Sequence, residues 1–256
     1  PYVEANVQTG EPFAFAPQPL LAADKVRFAG EPVAIVVAET QAQALDATEL
    51  VVVDYMPLPA VTTADAARAH EAPVLSPEVP GNVCLDWRTG DAQGADEAFR
   101  KAAHVVTLLL DNHRIVMNPM EPRGGVGLFD PASARYTLHV SSQSIHNNRN
   151  HIARALGVEA RNVRFVAPDV GGGFGAKNFA YVEHALILWA ARRAGRPVKW
   201  IASRSEVFLS DHAARDTRAE ASLALDAAGR FLALRVNSVA NLGAYMSLFS
   251  SSVPTY

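Results

Sequence analysis

Apolar positions along this chain come in short runs separated by turn residues, a pattern of many small elements. Residues 33–38 form a strand-sized apolar run that follows a Gly30-Glu31-Pro32 turn signal. Thr40 then stands three residues before Gln43, the spacing of a capping box, which predicts a helix over 41–50. Residues 51–55 read as a second strand, stopped by Pro57 and Pro59. Strand, helix and strand in quick succession predict a small α+β unit. A looser stretch with Pro73, Pro77, Pro80 and Gly81 follows, so the boundary between two domains, 1–72 and 73–256, is expected there. Beyond it the pattern predicts helices over 95–102 and 147–156, the second closed by Gly157. The longest helix is expected over 179–194, ended by Gly195 with Pro197 beyond. Strands are expected at 104–110, 126–129, 135–141, 163–167 and 198–202. A hairpin is expected from 217–225 and 230–239 through the Asp226-Ala-Ala-Gly229 turn. The expected fold class is α+β, with mixed sheets and helices and no internal repeat.

Composition narrows the function classes. With 49% hydrophobic and 19% charged residues over 256 positions, a packed core is expected and disorder is not. The net charge is −3 and no Lys/Arg run forms a phosphate-binding stripe, which argues against nucleic acid as a partner. No apolar run approaches the roughly 18 residues of a membrane span. Cys84 is the only cysteine, so no intrachain disulfide can form. An iron–sulfur cluster takes about four thiolates, so any such centre must sit on a partner. The chain opens at Pro1-Tyr2, without Met or a signal peptide, and closes at Pro254-Thr255-Tyr256, which suggests a fragment.

The sharpest local signal is Asp169-Val-Gly-Gly-Gly-Phe-Gly-Ala-Lys177, between an expected strand and an expected helix. Its glycines let backbone approach a ligand closely, and N–H groups at the following helix N-terminus would favour an oxyanion. A phosphate loop of the Gly-Lys-Ser/Thr type fits poorly, because Ala176 separates Gly175 from Lys177 and Asn178 replaces the hydroxyl. A dinucleotide fingerprint fits no better, since Ala176 fills its last glycine position. On the loop alone, a tight turn without ligand is an equally good reading.

Taken together, several motifs resemble the large, molybdopterin-binding subunit of the xanthine dehydrogenase and aldehyde oxidase family of molybdenum hydroxylases. They are Pro119-Met-Glu-Pro-Arg123, Ser141-Ser-Gln143, Leu156-Gly157, Val166-Ala-Pro-Asp-Val-Gly-Gly-Gly-Phe-Gly-Ala-Lys177, Gly195-Arg-Pro-Val-Lys-Trp200, Asp211-His212, Arg215-Asp216 and Asn241-Leu-Gly-Ala-Tyr245. The stretch Phe28-Ala-Gly-Glu-Pro-Val-Ala-Ile-Val-Val-Ala38 and residues 47–55 are similar to the same family's a/b hammerhead domain. The order matches along almost the whole chain, and the nearest branch is that of the aerobic carbon monoxide dehydrogenases.

This resemblance implies an N-terminally truncated hammerhead domain over 1–72 and the first part of the cofactor domain over 73–256. It implies molybdenum held by a molybdopterin, in its cytosine dinucleotide form, with no side chain as direct metal ligand. Gln143 would donate its amide to an oxygen on molybdenum, and Gly172, Gly173, Phe174 and Gly175 would form the facing loop, Phe174 through its backbone N–H. A core aromatic fixing the loop is the plainer role for Phe174. Asn178 stands where purine-oxidising members carry a glutamate, so purine specificity is not expected. It is the substrate-side candidate, with capping of the next helix as its plainer role. Glu121 is expected to make structural hydrogen bonds and to pair with Arg123. The family's base glutamate lies downstream of Tyr256, so no catalytic residue is assigned and the isolated chain is expected to be inactive. His113, His139, His146 and His151 lack ligand spacing and read as structural or surface residues, and Cys84 as inert. The implied reaction hydroxylates a small substrate (carbon monoxide, an aldehyde or an N-heterocycle) with water as oxygen source. Electrons would leave through [2Fe-2S] clusters on a small subunit to FAD on a medium subunit, in the cytoplasm. The rest of the large subunit completes the expected partners. The competing reading is a nucleotide- or phosphate-binding domain that uses the 169–177 loop.

Overall fold

Capping residues and apolar periodicity set most element boundaries in the computed structural model, which describes residues 10–247. The chain ends singled out above, Pro1-Tyr2 and Pro254-Thr255-Tyr256, lie outside the described residues. In chain order, helices α1 (Gln41–Thr48), α2 (Ala64–Ala67) and α3 (Ala92–Lys101) precede strands β1 (His104–Asn112), β2 (Gly124–Asp130) and β3 (Arg135–Val140). Next come α4 (Ile145–Ala155), β4 (Val163–Val166), α5 (Val182–Ala194) and β5 (Val198–Ile201). Helix α6 (Arg204–Ser210) leads to strands β6 (Thr217–Leu225) and β7 (Phe231–Ala240). The fold is α+β. No helix among the described residues is long and apolar enough to cross a membrane.

Two compact units divide these elements. The first is built from Pro59–Ile115, from Ala214 onward, and from the segment up to Pro17. It carries an antiparallel sheet in the order β1-β6-β7. The β6–β7 turn is closed by the Asp226 carboxylate, which accepts the Ala228 and Arg230 amides at 2.8 and 2.9 Å. Helix α3 lies against β7, where the Arg235 guanidinium stands 4.4 Å from the Phe99 ring centre.

The second unit comprises Gln18–Leu58 and Val116–Ala213. Its sheet is mixed, in the order β4-β3-β2-β5, with β3 and β4 parallel and the other pairs antiparallel. Alternation along β3 buries Tyr136, Leu138 and Val140. These pack with Ile152 and Ala153 of α4 and with Ala185, Ile187, Leu188, Ala190 and Ala191 of α5. Helix α5 approaches β2 so closely that a Cβ on Gly127 would stand 2.8 Å from the Ile187 carbonyl oxygen. Only glycine fits there. Gly157 and Gly195 follow α4 and α5 with φ of 68° and 62°, the left-handed exits expected of them.

Three local expectations need correction. The Thr40–Gln43 capping box forms, but α1 ends at Thr48 rather than Leu50. Residues 33–38 and 51–55 are not strands, because neither has a ladder partner among the described residues. A β pattern names a face and leaves the partner open. Helix α5 begins at Val182 rather than Phe179, since Phe179 has extended backbone (φ −86°, ψ 149°) after a short 3-10 turn. Helix α6 was not anticipated, although Ser203 and Glu206 form a full capping box at its start.

Leu138 is fully buried at the centre of the second unit. Leu138→Ala is therefore expected to lower stability by about 2–5 kcal/mol in urea unfolding, and a loss below about 1 kcal/mol would contradict this packing.

Candidate functional site

Strand direction brings four segments to one end of the second unit's sheet. Because β3 and β4 run parallel, Ser141-Ser142-Gln143 and the glycine loop leave the sheet side by side. Strand β2 runs opposite to β3, so the 118–123 segment enters at this end, and β5 delivers Ser203 and Arg204 there. The Arg204 guanidinium fixes the entering segment by donating to the carbonyls of Pro119 and Met120 at 2.8 Å and to the Asn118 side chain.

Gln143 and Glu121 organise the loop. Gln143 Oε1 accepts the amides of Gly175 and Lys177 at 3.1 and 3.2 Å. The Gln143 backbone amide donates to the Lys177 carbonyl at 2.9 Å. With Oε1 engaged, Nε2 is the polar group of this exposed residue left to donate. Gly173 lies directly against this amide, and a Cβ there would overlap it. Glu121 Oε2 accepts the Gly171 amide (2.6 Å), the Ser141 hydroxyl (2.7 Å) and the Lys177 ammonium (2.7 Å). Burial alone pushes this carboxyl up, but those donors outweigh it and hold Glu121 below the ordinary carboxylate range. Between the two fastened ends, the amides of Gly172, Gly173 and Phe174 have no acceptor among the described residues. Gly172 and Phe174 have left-handed φ of 91° and 49°, and three consecutive N–H groups without an acceptor are a donor set suited to an oxyanion or oxo group.

A charged floor lies beneath. The buried Arg123 guanidinium is paired with Asp211 and Glu183, the latter at 3.0 Å, and stands 3.8 Å from the Tyr181 ring centre. Burial opposes charge on Glu183, yet Arg123 holds its carboxyl below the usual range. Tyr181 donates its hydroxyl to the Ala176 carbonyl at 2.9 Å, joining floor to loop. Asn148, fully buried, donates to Ser142 Oγ (3.1 Å) and to the Phe179 carbonyl (3.2 Å), tying α4 to both exits. Burial lowers the His184 and His212 imidazoles to about 4.

The structure brings Gln143, Gly172, Gly173, Phe174, Gly175 and Asn178 together and revises several expected roles. Phe174 is no core aromatic, because its side chain is 74% exposed. Asn178 does not cap α5, whose N-cap is Tyr181, without a side-chain cap. The oxyanion-type donors belong to the loop itself rather than to the α5 N-terminus, which begins later in the chain. Arg123 does not pair with Glu121, since each finds a partner far along the sequence. A phosphate-loop role for Lys177 is also disfavoured, as its side chain is 1% exposed and turned onto Glu121. His113, His139 and His146 are exposed, and burial raises the Cys84 thiol, which lowers its reactivity. Sequence reasoning missed Ser141, Asn148, Tyr181, His184 and Arg204 as parts of the site. Among the described residues no group of three or more His, Cys, Asp or Glu side chains is placed to hold a metal ion.

Residues 75–256 match the molybdopterin cofactor-binding domain, and residues 3–59 match the a/b hammerhead domain of aldehyde oxidase and xanthine dehydrogenase. The chain belongs to the molybdenum hydroxylase family. The carbon monoxide dehydrogenase large chain of Hydrogenophaga pseudoflava is 35% identical over 238 residues, 88% of this chain and 30% of that one. Subunit gamma of the 6-hydroxypseudooxynicotine dehydrogenase complex of Paenarthrobacter nicotinovorans is 38% identical over 234 residues, 89% of this chain and 28% of that one. The solved carbon monoxide dehydrogenase of Oligotropha carboxidovorans superposes with a TM-score of 0.81 at 33% identity, covering 86% of this chain and 29% of that one. The chain thus spans under a third of the length of these molybdenum hydroxylase relatives.

The His184 and His212 imidazoles set an acid limit on the site. Their folded values, about 4, lie below the ordinary 6.5, so the unfolded chain binds the extra protons. Their contribution is complete above pH about 6.5 and is lost as pH falls toward about 4, on the order of a few kcal/mol in all. Thermal unfolding across that range should show a steadily falling midpoint, with a shallower fall in His184→Gln. A flat profile would contradict the burial of His184.

Proposed function

We propose that this chain forms one wall of the cofactor site in a molybdenum hydroxylase, with Gln143 and Gly172, Gly173, Phe174 and Gly175 facing the oxygen-bearing side of a molybdopterin-held metal. The observation that carries this reading is the capture of Gln143 Oε1 by two loop amides, which leaves the side-chain NH₂ as its remaining polar group in a loop whose amides at 172–174 are unengaged. When bound, the cofactor supplies the two-electron redox chemistry and the oxygen delivered to substrate, with water as its source. This chain's own part is to hold and orient. Its preorganised N–H donors stabilise negative charge on the cofactor's oxygen side without reorganising as charge develops. The chemistry of the donor set fits such a group, because the amides of Gly172, Gly173 and Phe174 are unengaged and Gly173, lacking a Cβ, lets the Gln143 amide lie directly against the loop.

The rest of the proposal follows the family. The cofactor is the cytosine dinucleotide form, with [2Fe-2S] clusters on a small subunit and FAD on a medium subunit as partners, in the cytoplasm. The substrate is a small molecule such as carbon monoxide, an aldehyde or an N-heterocycle. Asn178, partly exposed and with no hydrogen bond to its side chain among the described residues, is available on the substrate side. Glu121 is not the catalytic base, because its carboxylate already serves three donors. These 256 residues alone would not turn over. In sequence, the hammerhead and cofactor domains divide at about residue 72, between the family matches that end at 59 and begin at 75.

In the assembled enzyme, Gln143→Ala is expected to lower turnover by about 10²–10³-fold, the effect of losing one preorganised donor. Gly173→Ala, whose methyl displaces the Gln143 amide, should do the same. Steady-state kinetics normalised to molybdenum content checks this, and Gln143→Ala enzyme within about twofold of wild type would contradict the reading.

A further inference from the structure

The Glu121–Lys177 pair has no part in the chemistry proposed above, yet it occupies the base of the loop that does. Lys177 is 3% exposed, and its ammonium meets Glu121 Oε2 at 2.7 Å and Ser141 Oγ at 3.0 Å. Glu121 fastens the other end of the loop twice, accepting the Gly171 amide at 2.6 Å and donating its own amide to the Gly171 carbonyl at 3.3 Å. One carboxylate oxygen therefore sets the distance between the loop's first and last residues. What bulges between them is the run with left-handed backbone at Gly172, Phe174 and Gly175. Phe174 adopts that conformation without being glycine, which surrounding structure must enforce. The Phe174 ring is largely in solvent, so burial of the side chain does not hold it. Its backbone is held through its neighbours, by Gln143 at Gly175 and by Glu121 and Lys177 at the two ends of the loop.

We propose that Glu121 and Lys177 are positioning residues that clamp the 171–177 loop, so that its amides at 172–174 face the cofactor; this rests on the functional reading above. The pair does two separable things. It neutralises a buried ammonium, which any isostere that removes both charges would also achieve. It also ties residues 171 and 177 to one point, which only this carboxylate and this long cation achieve. A glutamine at 121 offers an oxygen to Gly171 but no negative charge to Lys177.

Hydrogen exchange read by mass spectrometry on the assembled enzyme separates these roles. In the wild type, the amides of Gly171, Gly175, Ala176 and Lys177 are hydrogen-bonded and should be protected. Glu121→Gln and Lys177→Met should each speed exchange at Gly175, Ala176 and Lys177 by about tenfold or more while α5 keeps its protection. Combining Glu121→Gln with Lys177→Met should restore the thermal midpoint, because no uncompensated charge is buried, but should leave the loop exchanging fast. Leu188→Ala, a core control, should loosen α5 instead. Wild-type loop exchange in either single variant, or recovery of loop protection together with the midpoint in the double variant, would overturn the clamp. Exchange makes no reference to the metal. A failure of the molybdenum reading would show separately, as unchanged turnover in Gln143→Ala enzyme.

Discussion

A peptide loop can offer bare N–H groups to a ligand only if its other polar groups are engaged elsewhere, since unpaired buried backbone is costly. In this protein that condition is met by one side-chain carbonyl. Gln143 Oε1 takes the amides of Gly175 and Lys177, and the Gln143 backbone amide takes the Lys177 carbonyl. The far side of the loop is therefore satisfied from within, and the near side is left with donors. The same bonds decide which end of the Gln143 amide points outward. Were Oε1 free, the side chain could rotate and offer an acceptor, which would repel the oxygen it is meant to stabilise.

The sheet supplies the geometry that makes this contact available. Parallel pairing of β3 and β4 is the one parallel step in an otherwise antiparallel sheet, and it places the Gln143 exit beside the loop exit. Glycine in β2 lets α5 pack close behind. The buried Arg123, with two carboxylates and the Tyr181 ring around it, forms a rigid floor whose hydroxyl reaches the loop at Ala176. Losing one member of such a buried charge cluster leaves the others uncompensated, so the floor behaves as a unit.

Much of this was legible in the sequence, for reasons that can be named. The helices that announce their ends with Thr40, Gly157 or Gly195, and the Asp226 hairpin, carry local chemistry that needs no tertiary partner. The glycine loop and Gln143 were found through ordered motifs, and the structure sets them side by side. Other features depend on residues distant in the chain. Arg123 meets Asp211 and Glu183, and Lys177 meets Glu121, across separations of 56 to 88 residues, and nothing in a single sequence links them. Proximity in sequence even misled, since Glu121 and Arg123 stand two apart and do not pair. The apolar runs at 33–38 and 51–55 misled in another way: no residue of either run is buried, and neither run finds a ladder partner among the described residues. The plainer role for Phe174, a core aromatic, fails because the residue is largely exposed.

The central claim is the orientation of two donors, the Gln143 side-chain amide and the Phe174 backbone N–H, toward one oxygen. A crystal structure of the metal-loaded enzyme, refined at a resolution that separates cofactor oxygen from sulfur, measures it most directly. The account predicts an oxygen of the metal group within about 2.7–3.2 Å of both nitrogens, with Gln143 Oε1 still on the Gly175 and Lys177 amides. A metal centre lying away from the loop, or a Gln143 turned so that its oxygen faces outward, would contradict it.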